Sequence, residues 1–142
     1  MPSSRQNRAP GPNADLLDMA RVAATRAYCP YSKFPVGAAV LTADDRVFSG
    51  ANVENASYGL TICAERTAIF NAVCAGAEQI VKLAVSCPKG SADSPPTLMP
   101  CGACRQVLAE FATPDTQVII DHLGTFSLAT LLPRPFGLAP ER

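Results

Sequence analysis

The chain has 142 residues, 48% of them hydrophobic and 17% charged, which is apolar enough to bury a core and, at about 150 residues per domain, long enough for one domain only. Twelve Lys and Arg balance twelve Asp and Glu, so the net charge of zero excludes nucleic acid and anionic membrane as main partners.

Residues 1–13 are rich in Pro, Ser, Asn and Arg and carry no apolar period, so they read as a disordered tail ahead of a single domain at 14–142. This stretch lacks an apolar h-region, and no apolar run approaches the roughly 18 residues of a membrane span. A cytoplasmic protein is expected. From Asp15, the residues Leu16, Leu17, Met19, Ala20, Ala23, Ala24 and Ala27 recur at helical spacing, with Asn13 placed to cap and Cys29-Pro30 to stop the helix. Residues 36–41 and 46–53 are short apolar or alternating runs joined by Thr42-Ala43-Asp44-Asp45, which predicts an antiparallel hairpin. Residues 63–76 suit a helix buried on most of its surface and stopped by Gly76. A strand is predicted at 80–86, a loop with four prolines at 88–100 and a helix at 101–111. A strand at 117–121 is followed by a short polar turn, then by one or two helical turns at 127–132. The order α-β-β-α-β-α-β predicts an α/β fold in layers, with helices flanking a mixed sheet.

Six cysteines are many for this length. Without a secretory signal they are expected to stay reduced, which favours metal binding or catalysis over crosslinks. Two segments stand out, Thr61-Ile62-Cys63-Ala64-Glu65-Arg66 and Pro100-Cys101-Gly102-Ala103-Cys104, each with a cysteine at the start of a predicted helix. Cys101 and Cys104, three apart in a first helical turn, present their sulfurs to one side, and Cys63 can add a third ligand from the other helix. Three protein ligands leave one tetrahedral position of Zn²⁺ open to water, which is what separates a catalytic site from a structural one. Glu65, two residues beyond Cys63, turns away from the ligand direction and can carry a proton without binding the metal. Three thiolates and one Zn²⁺ sum to a charge of −1. The helix N-termini and Arg66 are expected to offset it, Arg66 by donating to a ligand sulfur. The arrangement is that of the zinc nucleobase deaminases, with cysteine in place of the more usual histidine.

Taken alone, Cys101-Gly102-Ala103-Cys104 also fits a disulfide oxidoreductase motif. A structural zinc would need a fourth ligand, from Cys29, Cys74 or Cys87, since the single histidine, His122, stands apart from both clusters. Those three cysteines have no partner at ligand spacing and are expected in the core. His122 is expected at a strand end or on the surface.

Taken together, Phe34-Pro35-Val36-Gly37-Ala38-Ala39, Asn52-Val53-Glu54-Asn55-Ala56, Tyr58-Gly59, Cys63-Ala64-Glu65-Arg66 and Pro100-Cys101-Gly102-Ala103-Cys104-Arg105-Gln106 closely resemble the cytidine deaminases of the small free-nucleoside type. The resemblance runs from about Leu16 to the C-terminus. It implies the three-layer cytidine deaminase fold, a homotetramer, and a zinc hydrolase of pyrimidine salvage that converts cytidine and deoxycytidine to uridine and deoxyuridine with release of ammonia. By the same resemblance Cys63, Cys101 and Cys104 are the zinc ligands and Glu65 is the proton shuttle.

Asn52 and Glu54, two apart on the second predicted strand, share a face, and an amide beside a carboxylate suits a ribose 3′-hydroxyl. The resemblance sets Phe34 along the pyrimidine face and the Ala64 N–H on the base carbonyl. Tyr58 and Phe136 match family positions that complete a neighbouring subunit's pocket, although Phe136, in a Pro-rich tail, can equally fold back on its own core. A blasticidin-type deaminase shares the three-cysteine site; the Asn52–Glu54 pair and Arg66 favour the nucleoside enzyme. A noncatalytic zinc or redox module is the alternative from another class.

Overall fold

The computed structural model describes residues 13–138. The tail expected at 1–13 lies outside the described residues except for Asn13, which is the first residue of a helix. In chain order the elements are α1 (Asn13–Ala24), β1 (Gly37–Thr42), β2 (Val47–Ala51), α2 (Ala64–Cys74), β3 (Ile80–Ser86), α3 (Gly102–Glu110), β4 (Gln117–Ile120), β5 (Gly124–Ser127) and α4 (Leu128–Leu131). Single 3₁₀ turns stand at Tyr58–Leu60 and Pro95–Thr97.

Strand periodicity divides the interior in two. Ala38 and Val40 of β1, Leu83 and Val85 of β3, and Val118 and Ile120 of β4 point into one core with Ala68, Ile69, Leu108 and Leu128 from the helices. The residues between them, Ala39, Leu41, Ala84 and Ile119, point the other way onto Leu16 and Ala20 of α1. Because successive side chains alternate across a sheet, strands that are apolar at every position need helices on both faces. The sheet is therefore a middle layer, with α1 on one side and α2, α3 and α4 on the other. This is the layered α/β fold that the order of elements predicts. The strands lie in the order β2-β1-β3-β4-β5. All neighbours are antiparallel except β3 and β4, which α3 connects as a crossover.

Two glycines set how closely the layers approach. A Cβ on Gly37 would sit 1.9 Å from the carbonyl oxygen of Ala20, and one on Gly50 would sit 2.5 Å from the backbone nitrogen of Ala68. Only a residue without a side chain lets α1 cross β1, and α2 cross β2, at backbone contact. Across the α1 face, Asp121 accepts from Arg21 Nε at 2.9 Å and Nη2 at 2.7 Å and from Ser86 Oγ at 2.9 Å. This ties the first helix to the end of β4.

The structure corrects several boundaries. α1 ends at Ala24 rather than near Ala27, because the amides of Thr25, Arg26 and Ala27 each return to a carbonyl three residues back and tighten the chain. β2 stops at Ala51; Val53 leaves the hairpin to bridge Tyr28 and Ile62. The segment after β4 was expected to be only a turn but contains the edge strand β5, with Val118 opposite Phe126. Its four residues show too little apolar alternation to signal a strand. His122 at φ 66° and Gly124 at φ 146° make the reversal. The helix α2 buries Ala64, Glu65, Ala68, Ile69 and Ala72 and, as expected, is covered on most of its surface, with Phe70, 43% exposed, on the face left open. Of the three cysteines expected in the core only Cys87 is buried; Cys29 is half-buried, and Cys74, the last residue of α2, is exposed. His122 is on the surface.

Candidate active site and metal centre

Cys63 is the N-cap of α2 and Cys101 the N-cap of α3, both in extended backbone, and neither sulfur caps its own helix. Both sulfurs are thus free to turn toward Cys104, which sits buried in the first turn of α3. Cys63 Sγ lies 4.0 Å from Cys101 Sγ, which lies 3.3 Å from Cys104 Sγ, and all three sulfurs fall within 4.8 Å of one another. Tetrahedral zinc with Zn–S bonds of about 2.3 Å sets its sulfurs about 3.8 Å apart. The cluster therefore fits a single zinc ion. No fourth His, Cys, Asp or Glu joins the group among the described residues, so the donor set is that of an open site rather than a closed structural one.

The electrostatics of the cluster are lopsided. A hydrogen bond from Cys104 pulls the Cys63 thiol down to about 5, against burial, and the Arg66 guanidinium adds to the pull. Cys104 moves the other way, raised by its bond to Cys63 and by burial. Arg66 Nη2 donates to Cys63 Sγ at 3.3 Å, so a guanidinium stands at the sulfur whose thiol is lowered. Glu65, the second residue of α2, is 5% exposed, and burial pushes its carboxyl up to about 7. At that value both protonation states are populated near neutral pH, which suits a group that must take and return a proton.

A second group of residues surrounds a cavity of about 380 Å³ lined by Tyr31, Ser32, Glu54, Asn55, Tyr58 and Thr61. Glu54 Oε1 accepts the amides of Tyr31 at 3.0 Å and Ser32 at 3.1 Å, and Oε2 accepts the Ser32 hydroxyl. The Ser32 hydroxyl holds the Glu54 carboxyl below its ordinary value, so it is an ionised acceptor. Asn52 is buried and reaches the same loop: its Oδ1 accepts from the Val36 amide at 2.9 Å and its Nδ2 donates to the Phe34 carbonyl at 3.0 Å. That uses one of its two amide N–H donors. Phe34 is half-buried and packs against the main core. Its amide donates to Ser32 Oγ at 3.0 Å after the left-handed turn at Lys33, φ 56°. The Tyr31 and Tyr58 rings meet edge to face with centroids 6.2 Å apart.

Comparison with known proteins points to one family. The sequence signature described as the cytidine and deoxycytidylate deaminase zinc-binding region matches residues 12–120. The cytidine deaminase of Halalkalibacterium halodurans is 49% identical over 114 residues, covering 78% of this chain and 83% of that protein. That of Mycobacterium tuberculosis is 47% identical over 117 residues, covering 82% and 83%. The chain belongs to the cytidine deaminase family. The crystal structure of cytidine deaminase from Burkholderia pseudomallei superposes with a TM-score of 0.80 at 42% identity, covering 89% of this chain and all of that one. Zinc is accordingly the metal of this domain, and the spacing of the three sulfurs fits it.

The cytidine deaminase motifs fall into two groups of contacts, joined where Val53 bridges Ile62. Cys63, Glu65, Arg66, Cys101 and Cys104 form one cluster, while Asn52 and Glu54 share the loop that carries Phe34. Ala64 is fully buried as the first residue of α2, where backbone N–H groups have no intrahelical acceptor. Tyr58 is 76% exposed, and Phe136 is 72% exposed beyond α4. The Phe136 ring therefore does not fold back on its own core. Three side chains that sequence reading left without a role prove to be well tied: Ser32 to Glu54, Arg105 to two carbonyls, and Gln106 to Phe136. Only the turn residues Pro30-Tyr31-Ser32 hint at the first of these, and nothing in local spacing signals the others.

Proposed function

We propose that residues 14–142 form one zinc-dependent domain that hydrolyses cytidine and deoxycytidine to uridine and deoxyuridine with release of ammonia. The observation that carries this reading is the three-sulfur cluster at two helix N-termini with the buried carboxyl of Glu65 two residues beyond the first cap. Zinc held by Cys63, Cys101 and Cys104 supplies the Lewis acidity that makes water nucleophilic at neutral pH.

The remaining steps belong to the side chains. Glu65 takes a proton from the attacking water and delivers it to N3 of the pyrimidine, which makes C4 electrophilic. After oxygen bonds to C4, Glu65 carries a second proton from that oxygen to the amino group. The C4–N bond breaks, and ammonia leaves. Arg66 and the two helix N-termini offset the excess thiolate charge. Phe34 packs on the pyrimidine face, and the Ala64 N–H holds the base carbonyl. The second N–H of Asn52 donates to the ribose 3′-hydroxyl, and Glu54 accepts from it.

Tyr58 and Phe136 serve the pocket of a neighbouring subunit in a homotetramer. Their exposure supports this, as do Tyr28, Val53, Leu60 and Phe70, large apolar residues left uncovered on one chain. The net charge of zero supports a free nucleoside rather than a polynucleotide as substrate. No helix among the described residues is long and apolar enough to cross a membrane, and the reading carries a cytoplasmic location with it.

The test is a substrate panel. Purified protein is mixed with cytidine, deoxycytidine, cytosine, the monophosphates and blasticidin S, and ammonia release is measured. Turnover is expected on the two nucleosides. Release from blasticidin S alone would replace this reading with the antibiotic-directed one, and no release from any compound would leave a noncatalytic zinc or redox module.

A further inference from the structure

Arg105 and Gln106 directly follow the cysteine that ends the metal motif, and each reaches far along the chain. Arg105 Nε donates to the Pro100 carbonyl at 2.9 Å and Nη1 to the Leu131 carbonyl at 2.8 Å, joining the residue before Cys101 to the last residue of α4. Gln106 makes a paired contact five residues further on. Its Nε2 donates to the Phe136 carbonyl at 2.8 Å, and its Oε1 accepts the Phe136 N–H at 3.1 Å. A planar amide that gives to and takes from one residue's backbone reproduces a rung of an antiparallel ladder, so it fixes the orientation of both flanking peptides. Pro133 and Pro135 have locked φ angles and stiffen the approach. What remains free at Phe136 is the rotation of its side chain, and that side chain is 72% exposed. Docking that served only this chain's stability would bury the ring; here the backbone is held and the ring is presented outward.

We infer that Gln106 is a positioning residue for substrate binding, whose amide holds the Phe136 backbone so that the ring is presented to the nucleoside pocket of a neighbouring subunit. The inference rests on the reading of Phe136 given above. Gln106 touches neither metal nor nucleoside in this role and acts through Phe136 alone. Arg105 holds the segment that leads there, but its bond at Pro100 also braces the metal loop. Gln106 is therefore the cleaner residue to vary.

The experiment is a double-mutant cycle on the full chain. Wild type, Gln106→Ala, Phe136→Ala and the double variant are compared for kcat and KM on cytidine, with zinc content, melting temperature and sedimentation measured on each. Gln106→Met, similar in length but without the two polar atoms, guards against a helix effect of alanine. Both Gln106 variants should raise KM about five- to tenfold, as expected for two ordinary hydrogen bonds, with kcat, zinc and assembly nearly unchanged. The double variant should be no worse than Phe136→Ala, because the amide then has no ring to position. KM effects that multiply, a wild-type KM in the Gln106 variants beside a raised one in Phe136→Ala, or a loss of kcat or zinc would overturn the positioning role. A Phe136→Ala protein with wild-type KM would instead remove the reading of Phe136 itself, and the role of Gln106 with it.

Discussion

Cys63, Glu65, Cys101 and Cys104 stand on helix starts packed against the sheet, whereas Tyr31, Tyr58 and Phe136 stand on turns and a tail. The first group places the buried Glu65 carboxyl where backbone cannot give way, since α2 lies in backbone contact with β2 at Gly50, and a buried sulfur, that of Cys104, in the first turn of α3. The second group is exposed, and its order comes from single polar side chains: Ser32 on Glu54, Asn52 on the 34–36 backbone, Gln106 on Phe136. Proton transfer demands donors and acceptors fixed to a fraction of an ångström, so the mechanism proposed for Glu65 calls for a place in the core. A substrate must enter and leave, so its grip is assembled from loops that each hold by a few hydrogen bonds. The two regions should therefore fail differently, the centre in kcat and metal, the rim in KM.

The sharpest break is Cys104→Ala. Two thiolates hold zinc poorly, so metal should fall from about one ion per chain to below about a tenth, with deamination at background and a lower melting temperature. Metal analysis beside a thermal scan checks this; a metal-free variant with full activity would sink the zinc mechanism. Next in size, Glu65→Gln keeps the shape but cannot cycle a proton, and kcat should drop at least about 10²- to 10⁴-fold with zinc retained. Near wild-type turnover in a zinc-loaded variant would show that another group moves the proton. On the rim, Glu54→Ala should raise KM about 10- to 100-fold while sparing kcat, the range expected for a hydrogen bond to a charged group. Discrimination between cytidine and 3′-deoxycytidine should narrow with it, to the share that Asn52 carries. If this variant loses kcat as Glu65→Gln does, the division between centre and rim is wrong.

Smaller effects sharpen the comparison. Arg66→Gln should cost about tenfold in kcat but less in zinc affinity, read by titration against a competing chelator, because its guanidinium withdraws charge from the Cys63 sulfur without being a ligand. Equal losses in both would make Arg66 a structural brace instead. Outside both regions, Arg21→Ala should cost about 1 kcal/mol of stability, a modest figure because Arg21 is half exposed. The Arg21 guanidinium and then the Ser86 hydroxyl hold Asp121 below its ordinary pKa. That contribution is complete above the unfolded value of about 3.9 and is lost as pH falls through the lower folded value. Melting curves of wild type and variant should thus differ at pH 7 and draw together as pH falls below the unfolded value of about 3.9. A gap that persists in acid would mean that Arg21 acts through packing rather than charge.

The metal motif was legible in the sequence because its geometry is local. Three-residue spacing in a first helical turn turns the Cys101 and Cys104 sulfurs to one side, and a carboxyl two residues past an N-cap cysteine points elsewhere, whatever the rest of the chain does. The same holds for β3, whose predicted bounds at 80–86 are those observed, since a short, mostly apolar run rich in Ile, Val and Leu between turn residues has few other states. What spacing could not encode is which distant segments meet. Cys63 reaches Cys101 across 38 positions because α2 and α3 lie on one face of the sheet. The strand β5 exists because β4 offers it an edge to pair with, as its own four residues carry no signal. Gln106 finds Phe136 thirty positions away only after α4 has turned the tail back. Closing such loops costs conformational entropy that no local pattern repays. The sequence by itself determined the chemistry at each helix start, and packing across the sheet decided where those starts converge and which exposed residues stand around them.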